Sequence, residues 1–225
     1  MRIVAAVAAA LVTWSAPAIA QLERLTQREA LTGLKTALER GAAAAVAQLG
    51  TLDGFLGDPR VRIPIPESLA RTEKLARRLG YGAQADELVL AMNRAAEAAV
   101  PHARELLVDS IRSLSARDAK AILGGGDTAA TEYFRKTSDK ALHERFLPIV
   151  KTATARVGVA QRYRELSRPA ASLGLLKAEH ADLDQYVTRK ALEGLYLMLG
   201  EEEKKIRKDP VATGSAILRK VFGAL

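Results

Sequence analysis

Apolar residues recur along most of this chain at intervals of three and four, the spacing that one face of an α-helix requires. Leu31, Leu34, Leu38, Ala42 and Val46 make the first such stripe. It follows Thr26-Gln27-Arg28-Glu29, whose spacing suits a capping box, and Gly50 is the expected stop. Gly33 and Gly41 weaken this helix locally and leave room for a close neighbour. A second helix is predicted from Glu67 to Leu79, between Pro66 in its first turn and Gly80 at its end. Residues 83–99 are the clearest amphipathic segment: Leu88, Met92, Ala95 and Ala99 share one stripe, while Asp86, Asn93 and Glu97 align on another face. Pro101 either kinks this helix or starts the next, which carries Leu107, Ile111 and Leu114.

The second half continues in the same way. Ser115 caps a short helix through Leu123, Gly124-Gly125-Gly126 ends it, and Asp127 is the expected N-cap of the next. A longer helix beginning near Ser138 carries Leu142, Phe146, Ile149, Val150, Ala153 and Val157, with a bend expected at Pro148. Between Gly158 and Ala181 the pattern predicts a short helix, a break at Arg168-Pro169 and a turn at Gly174. The strongest helix runs from Asp184 to about Lys208 and ends at Asp209-Pro210. Ala191 to Leu199 is apolar on nearly all sides, which predicts a central, buried helix. Thr213 to Phe222 makes a last short amphipathic helix.

Residues 51–66 are the exception. Asp53-Gly54 and Gly57-Asp58-Pro59 carry turn chemistry. Val61-Arg62-Ile63-Pro64-Ile65-Pro66 favours extended backbone, because each proline disfavours helix in the residue before it. The predicted architecture is all-α: a single multi-helix domain, residues 21–225, crossed by one extended proline-containing strap at about residues 53–66. Val61, Ile63 and Ile65 are expected to press inward from that strap.

The first 20 residues change the picture of where this domain works. Met1-Arg2 gives a short positive start, Ile3 to Trp14 an almost unbroken apolar run, and Ala18-Ile19-Ala20 a small-x-small cleavage signal. This is the layout of a cleavable secretory signal peptide, residues 1–20, with export to the periplasm expected. The apolar run is shorter than the roughly 20 residues a spanning helix needs, so the processed protein is not expected to be transmembrane. The chain has no cysteine, so neither a disulfide nor a lipid-bearing N-terminal cysteine is available to it. A chain of this length buries enough surface to fold without either.

The net charge of +8 leans toward the second half: residues 21–123 hold 15 basic and 13 acidic side chains, residues 124–225 hold 18 and 13. Arg156, Arg162, Arg164 and Arg168 are the tightest basic group. For an exported protein the corresponding partner is an anionic envelope surface, and 4% aromatic residues offer few platforms for stacking nucleic-acid bases. No nucleic-acid partner is expected.

Chemistry-bearing patterns are sparse. His102, His143 and His180 are far apart and none has metal-ligand spacing, so no metal or cofactor is expected. No serine lies in a nucleophile-elbow pattern. The backbone of Gly124-Gly125-Gly126-Asp127-Thr128 could cradle an anion, but Asp127 would occupy the same positive helix end as a cap. Asn93, Arg94 and Glu97 form the most informative polar set, since Asn93 and Glu97 are neighbours on one helix face. If that face turns inward they need internal partners, with Arg135, Thr131 and Arg207 as candidates, or a small ligand. An internal network is the favoured reading of that set.

Asp53-Gly54-Phe55-Leu56 with Val61-Arg62-Ile63-Pro64-Ile65-Pro66, Met92-Asn93-Arg94-Ala95-Ala96-Glu97, Asp118 through Gly125, Tyr186-Val187-Thr188 and Glu201 through Arg207 together resemble an exported bacterial family, domain of unknown function 4197. The resemblance covers nearly the whole chain after residue 20. It implies a bacterial, exported, helical protein and supplies no catalytic residue.

The reading that joins these observations is a soluble periplasmic protein acting as a non-enzymatic binding or interaction domain for an envelope protein or small ligand. Asn93, Arg94, Glu97, Asp127 and Arg207 are its candidate binding residues. One alternative is a peripheral binder of anionic lipid or envelope polymer, using the basic second half and the amphipathic end Ala216 to Phe222. The other is a hydrolase with an unfamiliar carboxylate site, for which Asp86, Glu97, Asp118 and Asp127 are the groups to inspect.

Overall fold

A computed structural model describes residues 27–172 and 182–209. The expected leader, the Gly174 turn and the amphipathic end at 213–222 lie outside these residues. Seven α-helices and no strands occur among the described residues: α1 Gln27–Leu49, α2 Ala70–Arg78, α3 Gly82–Arg112, α4 Ala116–Leu123, α5 Ala129–Val157, α6 Val159–Ser172 and α7 Leu183–Lys208. A short 3₁₀ turn, Glu67–Leu69, leads into α2.

The organising element is α3. Its 31 residues extend about 46 Å at the ordinary helical rise, and it packs against α1, α2, α5, α6 and α7. Leu88, Met92, Ala95 and Ala99, the stripe read from the sequence, are fully buried, as are Leu107 and Ile111 further along. Pro101 lies inside this continuous helix and starts no new one. Its missing N–H costs one backbone bond, and its ring packs beside Gly50, where an added Cβ would sit 3.0 Å from Pro101 Cγ.

Helix α7 is buried along its middle, as its sequence predicts, with Ala191, Leu192, Leu195, Met198 and Leu199 in the core and only Glu193 and Leu197 turned toward solvent in that stretch. It packs against α1, α3 and α5. Gly41 of α1 faces Glu202 and Leu199 of α7, where an added Cβ would lie 3.4 and 3.5 Å away in ordinary contact, so the approach of the two helices does not depend on this glycine.

Three boundaries differ from expectation. The helix expected after Asp127 starts at Ala129 and continues without a break into the one expected near Ser138, through Pro148 to Val157. Its N-cap is Thr128, while Asp127 is exposed one residue earlier. Helix α6 passes through Arg168-Pro169 without a break. The expected cap at Ser115 is present, with Ser115 and Asp118 in a reciprocal capping box at the start of α4, and Gly158 ends α5 in the left-handed conformation.

The strap is an ordered crosspiece. Val61, Ile63 and Ile65 are buried as the alternation predicts, and so is Phe55. Phe55 and Val61 lie against Gly194 of α7, where an added Cβ would come within 2.9 Å of Phe55 Cε1 and 3.3 Å of Val61 Cβ. The strap therefore sits between α3 and α7 because a glycine lets a ring reach the α7 backbone.

Candidate functional site

The polar face of α3 is turned onto the strap. Asn93 Oδ1 accepts from Ile63 N–H at 2.9 Å, and Asn93 Nδ2 donates to Ile63 C=O at 2.9 Å and to Val89 C=O at 2.8 Å. One turn on, Glu97 Oε1 accepts from the N–H groups of Phe55 and Leu56 at 3.1 and 3.2 Å. Arg94 joins the two: it donates to Glu97 Oε2 at 2.6 Å and to Asp53 Oδ1 at 2.8 Å. Asp53 has a left-handed backbone (φ 63°) at the tight turn before Gly54. Asn93 and Glu97 are buried, at 0% and 5% exposure. The backbone groups of an extended segment need partners when no sheet supplies them, and here side chains of α3 do so.

The structure thus brings Asn93, Arg94 and Glu97 together, but with partners other than Arg135, Thr131 and Arg207. Those three lie around α5 and α7. Glu203 of α7 accepts from the N–H groups of Ala130 and Thr131 at 3.0 and 2.9 Å, and from Thr131 Oγ1 at 2.8 Å. Arg207 pairs with Glu203 Oε1 at 2.9 Å and donates to Ile122 C=O at 3.0 Å. A buried carboxylate at the start of α5, with its positive helix end, is stabilised both by orphan N–H groups and by the guanidinium. Arg135 stacks over the Tyr196 ring, 5.1 Å from its centroid.

The four carboxylates of the hydrolase alternative are engaged separately. Asp86 pairs with Arg77, Asp118 caps α4, Glu97 holds the strap and Asp127 is exposed. Asp118 is held below the usual carboxylate range by Ser115, its capping partner, and by Tyr133. Among the described residues no three His, Asp or Glu side chains are grouped to hold a metal ion. Of the basic group, Arg162 is shared between Glu87 and Glu165 at 2.9 and 3.2 Å, so part of that charge is neutralised. No described helix is long and apolar enough to cross a membrane.

An open groove of about 600 Å³ lies where the strap runs into α2. One wall is Pro64 to Ser68; the other is the face of α7 carrying Asp182, Gln185, Tyr186, Arg189 and Lys190. Tyr186 Oη donates to Pro64 C=O at 3.0 Å, and the Arg189 guanidinium lies over the Tyr186 ring, 5.9 Å from its centroid. Burial pushes the Tyr186 hydroxyl above its ordinary value, with Arg189 opposing and Glu193 and Glu67 adding to the shift. No motif contains Arg189 or Glu67, so neither stands out among the charged residues of the chain. The one trace of Arg189 is the i, i+3, i+4, i+7 spacing of Asp182, Gln185, Tyr186 and Arg189 along one helix face.

Residues 24–223 match the family model described as Protein of unknown function (DUF4197). The chain belongs to this family. No curated protein and no solved structure matches the chain. Membership spans both the strap clamp and the groove, so both lie within the family domain.

Proposed function

We propose that this DUF4197 member is an exported envelope protein whose helical body works as a non-enzymatic binding domain, with the groove beside the strap as its binding surface. One observation carries the reading. The buried polar residues Asn93, Glu97 and Glu203 are spent on holding the strap and the start of α5, whereas the groove presents Glu67 and Arg189 to solvent. Ligand sites combine a shaped concavity with a few convergent polar groups, and the groove has both. The separate engagement of Asp86, Glu97 and Asp118 supports a binding role over carboxylate-pair hydrolysis. The leader-like residues 1–20 support the periplasmic address.

Native purification from the periplasm tests both halves. N-terminal sequencing is expected to begin at Gln21, and mass spectrometry of the undenatured protein to find a co-purifying molecule. An intact Met1 on cytoplasmic protein would overturn the address. A preparation free of any bound molecule or partner would overturn the binding role.

A further inference from the structure

We propose that the groove between the strap and α7 binds a short peptide by its two charged ends, the carboxylate on Arg189 and the ammonium on Glu67. This rests on the binding-domain reading above and names its ligand class. Four charged side chains line the groove, and two are already committed. Asp182 caps α7 by accepting from Gln185 N–H at 3.0 Å, and Lys190 pairs with Glu193 at 2.7 Å. Arg189 has no carboxylate partner among the described residues, and Glu67 on the opposite wall has no cation. A groove with one open charge of each sign, on facing walls, suits a ligand that carries both. An inorganic anion would leave Glu67 unanswered.

The stretch between those charges fits peptide backbone. Pro64 and Pro66 have no N–H, so Ile65 is the one strap residue between them that can both donate and accept. Neither backbone group of Ile65 is hydrogen-bonded among the described residues, whereas Ile63 is taken up by Asn93 and Pro64 C=O by Tyr186. Ile65 is buried yet lines the groove, and one residue of an extended peptide can pair there through the backbone, as peptides do along extended segments with free backbone groups. Tyr186, fixed by its own bond to Pro64 and overlain by Arg189, lines the groove beside that residue. The groove's volume is that of ligand-binding clefts generally.

The test titrates the purified chain with trialanine, N-acetyl-trialanine and trialanine amide, followed by NMR amide shifts. Trialanine is expected to bind saturably, and each blocked form about tenfold more weakly, the scale of one lost charge-assisted contact. Arg189→Gln should abolish the discrimination against the amide and leave that against the acetylated form. Glu67→Gln should do the reverse. Both side chains are exposed, so an unchanged Tm certifies the variants' folding. The proposal is overturned if trialanine gives no saturable shift up to about 10 mM, if blocking the ends changes nothing, or if Arg189→Gln keeps full sensitivity to amidation. A natively bound non-peptide molecule alongside a negative trialanine titration would remove the peptide assignment alone. An empty native preparation removes the broader reading.

Discussion

Asn93 uses its side-chain oxygen once and its amide nitrogen twice, all at full burial. Replacing it by alanine leaves Ile63 N–H and C=O without partners inside the protein, and each such group costs roughly 1–3 kcal/mol. Asn93→Ala is therefore expected to destabilise by about 3 kcal/mol, read as a fall of about 6–12 °C in Tm for a chain of this size. A loss below about 1 kcal/mol would mean that the strap is held elsewhere. The importance of this residue was legible in the sequence, because a polar pair four positions apart interrupts an alanine-rich helix. Its partners were not. Helical periodicity says which way a side chain faces, and nothing in it says which segment lies across from that face. That is why Arg135, Thr131 and Arg207 were reasonable candidates and the backbone of Phe55, Leu56 and Ile63 is what Asn93 and Glu97 hold.

The start of α5 shows the same division between helices. A helix start is sought through its local cap, and Thr128 makes no side-chain cap bond to the backbone. The free N–H groups of Ala130 and Thr131 are satisfied instead by Glu203, more than seventy positions away, in a Glu-Glu-Glu-Lys-Lys run that reads as solvated surface. The helix thus begins within two residues of the Asp127 cap expected for it, and runs on through Ser138, where apolar periodicity first becomes regular. Pro169 misled in the same direction, since α6 runs through it while packed neighbours keep the helix going; Pro148 was expected within its helix, and Pro101 either within α3 or at a new start. By contrast, the strap was readable, because proline spacing and alternation act through local backbone sterics. Glu203→Ala should fray the first turn of α5 and take from Arg207, whose side chain is only 10% exposed, its ion pair with Glu203. Breaking such a pair from one side costs about 3–5 kcal/mol. Urea unfolding should show that loss, with faster hydrogen exchange at Ala130 and Thr131. Unchanged exchange there would show that the carboxylate is dispensable to the helix start.

Over the whole molecule, helix packing also sets the response to alkali. Tyr133, Tyr186 and Tyr196 all have hydroxyls pushed above their ordinary value, and burial is the first cause in each. Tyr196 is the extreme case: the residue is 2% exposed, its hydroxyl has no hydrogen-bond partner of good geometry among the described residues, and the nearby Asp139 carboxylate, by its charge and as an acceptor for the neutral hydroxyl, adds to the cost of ionising it. Below the unfolded value of about 10 these tyrosines are neutral in both states, and their contribution to stability is intact. As pH rises past that value the unfolded chain releases their protons first, so it binds fewer protons than the folded chain and stability falls. The fall continues until the folded hydroxyls ionise as well. Lysines titrate over the same range, so the informative measurement is the difference between wild type and Tyr196→Phe, which has no proton to lose at that position. Unfolding free energy from urea titrations should hold steady from about pH 8 to 9 and decline by about pH 11, with a shallower decline in Tyr196→Phe. At neutral pH the same variant should be as stable as wild type or more stable, because it removes a buried hydroxyl without a partner of good geometry. Parallel alkaline declines in the two proteins would mean that Tyr196 ionises as freely in the folded chain as in the unfolded one, and that the packing of α5 against α7 does not shield it.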